Sequence, residues 1–313
     1  MNRTGLLACA PFPWQCVTRE PCQLGESPFW HPLERSLYWL DIAARQVLRM
    51  EEASGIVQTW DMPTEPGCMA PAASGGLVLA LRDGVFRAHH WGGALERIAT
   101  LDYDPAFMRA NDGKCDAMGR FWIGTIDETK SAHNAALYCL DCRSAGAALV
   151  QRRAGPATTA NGLAWSPDDR TLYWVDTPSH AVQAWNFDSL SGTLTAQRQF
   201  HQFAPRENSD GLGSYGGRPD GAAVDVLGNY FVAMYEGRRV CQLAPDGTLL
   251  AQWETPAQCP TMPCFGGEDL QTLYLTTARQ KRSEEELKAL PLSGHVLSMR
   301  VEVPGLPVNF FLD

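Results

Sequence analysis

Apolar residues in this chain come in short runs separated by polar turns, and the runs recur in phase. Leu24 to Asp41 reads L-G-E-S-P-F-W-H-P-L-E-R-S-L-Y-W-L-D, and Ala160 to Asp176 reads A-N-G-L-A-W-S-P-D-D-R-T-L-Y-W-V-D. The same skeleton returns at Asn111 to Gly124 and Pro219 to Ala233, with weaker copies at Ala70 to Ala80 and Cys264 to Leu275. Each copy has a polar opening, an apolar stretch, a turn rich in Pro, Asp or Gly, and a second apolar run. The runs Leu37–Leu40, Phe121–Ile123, Leu172–Val175, Tyr230–Val232 and Leu273–Leu275 are too short for helices and rich in aromatic and β-branched residues, so they predict strands. The turns between them, Pro32–Arg35, Asp116–Gly119, Pro167–Arg170 and Asp225–Gly228, use residues suited to tight reversals. A third strand follows at Gly84–Arg87, Ala136–Cys139, Ala181–Trp185 and Arg239–Leu243. A fourth is visible only at Gln197–Phe203 and Leu249–Trp253. Repeats of about 40–50 residues that each hold several strands are the mark of a β-propeller. The expected fold is therefore all-β, a six-bladed β-propeller in a single domain over residues 1–313, with 1–15 as an N-terminal extension.

Two segments break the rhythm. Ala204 to Pro219 is polar and Gly-rich and stands directly before Asp220, which suggests a lid, since insertions in repeat folds cluster on the binding face. Arg279 to Leu290 is charged, and Ser283 with Glu286 predicts a capping box opening a short helix.

The repeat phase locates a site. Alignment on the turn residues His31, Asp116, Ser166 and Asp225 puts Glu26, Asn111, Asn161 and Asp220 in one position, five residues earlier; the weaker copies carry Cys68 and Thr261 nearby. Equivalent positions in a closed ring of blades converge on the central channel. Four oxygen-bearing side chains there, two of them carboxylates, suit a hard cation such as Ca²⁺, Mg²⁺ or Mn²⁺, and the lack of His or Cys argues against zinc. Asx residues also shape turns on their own backbone, and that alternative stands for each of the four taken singly. Asp41, Asp116, Asp176 and Asp225 lie outside the phase and are expected to brace turns and blades.

Composition narrows the partners. The formal charge of −9 argues against nucleic acid and against an anionic membrane surface. No run is long and apolar enough for a spanning helix, and the N-terminal residues lack the apolar core of a signal peptide. Ten cysteines without paired metal-ligand spacing read as free thiols, and Cys139-x-x-Cys142 as strand residues, in a cytoplasmic protein. A monomer or weak homodimer is expected.

Glu26-Ser27-Pro28, Arg109-Ala110-Asn111-Asp112-Gly113-Lys114, Asn161-Gly162-Leu163, Pro219-Asp220-Gly221, Cys264-Phe265-Gly266-Gly267 and the late Thr277-Ala278-Arg279 resemble the signatures of the senescence-marker/gluconolactonase family, which includes regucalcin and bacterial sugar lactonases. The resemblance implies a central-channel metal site and hydrolysis of an aldonolactone. It places Glu26, Asn161 and Asp220 as metal ligands, Asp220 also as general base, and Arg109 and Asn111 on the substrate. One divalent cation is implied, Ca²⁺ first, with Zn²⁺, Mn²⁺, Mg²⁺ or Fe²⁺ as alternatives. The sequence departs from the animal proteins where their substrate-contacting Glu is replaced by Thr129, with Glu128 just before it, so both are candidate substrate contacts. Two rival functions remain at this point: a phosphotriesterase or aryl-lactonase on the same fold, and a non-enzymatic calcium-binding propeller.

Overall fold

The computed structural model describes residues 13–144, 148–207, 211 and 213–313. They form six four-stranded antiparallel sheets, the blades of a propeller. The innermost strands, in blade order, are Gly25–His31, Pro66–Pro71, Met108–Cys115, Ala160–Trp165, Arg218–Val224 and Cys259–Gly266. Each inner strand touches the inner strands of both neighbours, and the sixth returns to the first, so the ring is closed. Among the described residues no helix is long and apolar enough to cross a membrane.

The hydrophobic pattern follows from this stacking. The second strand of blade 1, Ser36–Asp41, is buried at every position, whereas the outermost, Val57–Asp61, is exposed or half-buried throughout. A strand sandwiched between blades has no solvent face, so it reads as a continuous apolar run rather than an alternating one. Successive side chains point to opposite faces. Tyr38 accordingly packs in the core between blades 1 and 2, and its neighbour Trp39 in the core between blades 6 and 1. Six such cores, one per blade interface, hold the ring.

The turn and bracing roles expected for the out-of-phase aspartates are what the structure contains. Asp116 Oδ1 accepts from the backbone of Met118 and Arg120, and Asp225 Oδ1 from Leu227 and Asn229. Asp41 and Asp176 each hold the backbone N–H groups just ahead of their own blade's inner strand. The short helix is Glu284–Ala289, with the Ser283 hydroxyl accepting from Glu286 N; the Glu286 carboxylate pairs with Arg282 instead of closing the box. The nine described cysteines are free, and Cys139 is an ordinary buried strand residue.

Two features had no counterpart in the sequence reading. The outermost strand of blade 6 is Gln15–Cys16, which pairs with Leu297–Arg300, so the N-terminal segment closes the last sheet; residues 1–12 lie outside the described region. The C-terminal segment crosses one mouth of the channel. It is anchored on blade 5 through Leu306 N to Val224 O (3.1 Å), and on blades 2 and 3 through Phe311 N to Pro71 O (2.8 Å) and Leu312 N to Gly119 O (3.0 Å).

Candidate active site

Every inner strand carries a register irregularity close to the phase residue: after Glu26, Pro66, Asn111, Asn161, Pro219 and Pro260. Bulges of this kind re-aim side chains and are common beside active sites. Here they need left-handed backbone at Ser27, Asp112 and Gly162. Gly162 is also sterically required, since a Cβ there would stand 2.5 Å from the Tyr230 hydroxyl.

The amides of the phase are joined across blades. Asn111 Nδ2 donates to Asn161 Oδ1 (2.9 Å) and to the Ala160 carbonyl (2.8 Å), which uses both of its hydrogens. Arg109 Nη1 donates to Asn111 Oδ1 (3.0 Å), and Asn161 Nδ2 donates to the Thr177 hydroxyl (2.7 Å). Thr177 in turn donates to the carbonyl of Pro219 (2.9 Å), the residue before Asp220. One chain of hydrogen bonds therefore links blades 3, 4 and 5. For the two asparagines the alternative of a self-made turn does not apply, because their amides are spent on neighbouring strands.

The two carboxylates of the phase stand in the same place electrostatically. Burial, then the charges of Asp220 and Asp112, push the Glu26 carboxyl well above its usual range. Burial, then Asp112, does the same to Asp220, against the pull of Arg218 and Arg109. Asp112 itself is raised by burial; its Oδ2 accepts from Leu163 N (3.0 Å), and its Oδ1 is buried without a hydrogen-bond partner among the described residues. Three buried carboxyl groups repelling one another are costly unless a cation offsets them. Among the described residues no three His, Cys, Asp or Glu side chains form a ready-made metal cluster. The residues of the phase that could hold one are the carboxylates Glu26 and Asp220 and the amide oxygen of Asn161. Asn161 Oδ1 keeps a lone pair beyond its bond to Asn111. All-oxygen ligation of this kind fits a hard divalent cation.

Glu128 and Thr129 part company. Glu128 Oε1 lies 3.5 Å from Arg109 Nε, and its Oε2 lies 2.9 Å from Arg82 Nη1. Thr129 is exposed and its hydroxyl donates to Asp127 Oδ1 within the turn (2.5 Å), so it is not among the residues tied to the cluster. Arg82 was not foreseen. It also binds Glu65 and the carbonyls of Pro105 and Met108, and so fixes the start of the strand that carries Arg109. Thr177 was missed because it follows the second strand rather than opening the first.

A cavity of about 280 Å³ lies at the opposite ends of the inner strands, under the C-terminal crossing, lined by Trp30, Lys114, Trp165, Phe265 and Val308. It lacks the polar convergence of the phase residues and is not the candidate site.

Residues 24–279 match the family model described as the SMP-30/Gluconolactonase/LRE-like region. The chain belongs to this family. It is 40% identical to the 6-deoxy-6-sulfogluconolactonase of Pseudomonas putida, over 95% of this chain and 98% of that protein. It is 33% identical to the regucalcin of Gallus gallus, over 94% and 96%. Among solved structures it is similar to a calcium-binding regucalcin from Agrobacterium tumefaciens, with a TM-score of 0.88, 25% identity, and coverage of 96% of this chain and 98% of that one. The six-bladed propeller expected from the repeat pattern is thus the fold of the described residues, and the family is the one that the motifs resembled.

Proposed function

We propose that this protein hydrolyses a sugar aldonolactone to its aldonic acid at the mouth of the channel that carries Glu26, Asn161 and Asp220. One divalent cation, Ca²⁺ first, would be held by these three residues. The observation that carries this reading is the cross-blade network from Arg109 to Thr177 set beside two buried, mutually repelling carboxylates. Lactonases among the relatives support the reaction class.

Hydrolysis adds water to the lactone carbonyl carbon and breaks the ring C–O bond. The cation, when bound, would supply a Lewis acid for the carbonyl oxygen. Asp220 is the carboxylate of the three placed to accept the proton of the attacking water. Asn111 holds Asn161 and Arg109 in register. Arg109 Nη2 makes no hydrogen bond among the described residues, so it faces the substrate as a fixed donor. Glu128, kept in place by Arg82, accepts from a sugar hydroxyl.

The test is turnover of an aldonolactone panel by metal-stripped protein re-loaded with one cation at a time, beside an aryl ester and a phosphotriester. Cation-dependent hydrolysis of aldonolactones alone is the expected result. Preference for the aryl ester or phosphotriester would favour the first rival, and cation binding without any turnover the second. Within this reading Glu26 supplies charge and not proton transfer. Glu26→Gln is expected to weaken cation affinity by at least the ~10–100-fold that loss of an outer-sphere partner costs, with a smaller change in kcat at saturating cation. Calorimetric titration of both proteins checks this, and identical dissociation constants would remove Glu26 from the ligand set.

A further inference from the structure

The cavity at the far end of the channel has a chemistry of its own. Its walls come later on the same inner strands that carry the phase residues: Trp30 after Glu26, Lys114 after Asn111, Trp165 after Asn161. Three to four residues of strand set the two ends roughly 10–13 Å apart. The walls are mostly apolar, with Trp30, Met69, Trp165, Met262 and Phe265 supplied by blades 1, 2, 4 and 6.

Lys114 breaks that pattern. It reaches across the channel from blade 3, and its ammonium donates to the carbonyl of Ala222 on blade 5. An ammonium has three hydrogens to donate. Lys114 forms no other hydrogen bond and no ion pair among the described residues. Burial pushes its pKa down against the pull of Asp112 and Cys264, as expected of a charge short of a counterion. Trp165, on the same lining, is 6% exposed, and its Nε1 has no hydrogen-bond partner among the described residues. Buried donors left in this state call for an acceptor.

The roof leaves a way in. The C-terminal crossing is fixed at Leu306 and Phe311, but residues 307–310 between them make no backbone hydrogen bond among the described residues. Asn309 Nδ2, which donates to the Cys115 carbonyl at 3.2 Å, holds this span by a side chain alone.

We propose that this cavity is a second binding site, for a monocarboxylate with a compact apolar body such as an arene, its carboxylate on Lys114 and its body against the tryptophans. One ammonium matches one negative charge, and a phosphate dianion would bury a second charge with nothing to offset it. An apolar cavity of about 150 Å³ takes benzene, so the one here, about 280 Å³, holds a ring and a carboxylate arm. Asp169, the one acid on the lining, belongs to the turn beyond the strand end. It therefore turns the negative end of a ligand inward, toward Lys114.

The test is calorimetry on the full chain with saturating Ca²⁺, using phenylacetate, and 2-phenylethanol and phenethylamine as uncharged and cationic controls. Phenylacetate is expected to bind the native protein with a Kd of about 1 mM or tighter, within reach of so small a ligand. It should bind at least about tenfold more tightly than either control, the factor that a hydrogen bond to a charged group supplies. Lys114→Met keeps the stem and removes the charge, and should bring phenylacetate down to the level of 2-phenylethanol. Val308→Trp fills the cavity from the roof and should abolish binding of both. Arg109→Ala, at the other mouth, should leave phenylacetate affinity as it is. No phenylacetate binding, equal affinity in the native and Lys114→Met proteins, or loss of binding in Arg109→Ala overturns the proposal. If circular dichroism shows Lys114→Met unfolded, Val308→Trp decides, and native affinity in that variant overturns the proposal as well.

Discussion

Asp220→Asn is expected to lower lactone turnover by about 10²–10⁴-fold, the usual cost of losing a positioned base, while the protein stays folded. The substitution keeps volume and shape but removes a charge and the proton acceptor. Its effect on stability has a definite sign. A carboxyl group raised by burial and by Asp112 costs the fold stability at any pH above its value in the unfolded chain, because the folded state resists its ionisation. Removing the charge relieves that cost, so the cation-free variant should melt at the same temperature as the parent or higher. With saturating cation the order should reverse, because the parent alone keeps the full ligand set. Turnover and thermal midpoint, each with and without cation, check both halves. Activity within tenfold of the parent would rule out Asp220 as the base.

Asp116→Ala is expected to cost about 3–5 kcal/mol, the range for breaking one side of a buried ion pair. Asp116 and Arg120 are both 1% exposed, with Oδ2 of the acid 2.6 Å from Nε of the base. The same oxygen accepts from Trp122 Nε1 at 2.7 Å. Arg120 also reaches the carbonyl of Ser189 at 2.6 Å, so the pair ties a hairpin of blade 3 to a loop of blade 4. Alanine leaves the guanidinium buried with no carboxylate. Urea denaturation should show the loss, and Asp116→Ala combined with Arg120→Met should recover part of it, because the orphaned charge goes too. A loss under about 1 kcal/mol would place this among ion pairs of little worth.

What the chain discloses about itself follows burial. Inner and second strands are legible because both faces are covered, so L-Y-W-L-D and L-Y-W-V-D stand out as unbroken apolar runs. The outer strands Val57–Asp61, Glu96–Ala99 and Leu149–Ala157 are largely exposed, carry polar residues at will, and leave no pattern to find. Counting back from the turns brought Asn111 to Asn161, because the ring converts sequence phase into position on the channel. Asp112 was hidden by the bulge, whose left-handed backbone upsets the alternation that would turn it away from Asn111. Glu128 and Thr129 are neighbours in a turn, and spacing alone does not say which of two turn neighbours meets Arg109. That choice is made by Arg82 and Asp127, which lie elsewhere in the chain or face the other way.

The pairing of Gln15 and Cys16 with Leu297 and Ser298 has a consequence for the order of events during synthesis. Five sheets are built from neighbouring segments and can form as the chain leaves the ribosome, at about 5–20 residues per second. The sixth waits for residues from both ends. Until then the nascent protein is an open crescent with the unpaired faces of blades 1 and 6 at its tips. Such long-range pairing is slow, because the chain entropy is lost before the contact is gained. Glu26 sits in blade 1 and Asp220 in blade 5, on opposite sides of that gap. Their mutual repulsion, and any cation affinity it creates, therefore comes into being only when the crescent shuts, so a cation that binds between them rewards the last step of assembly and no earlier one.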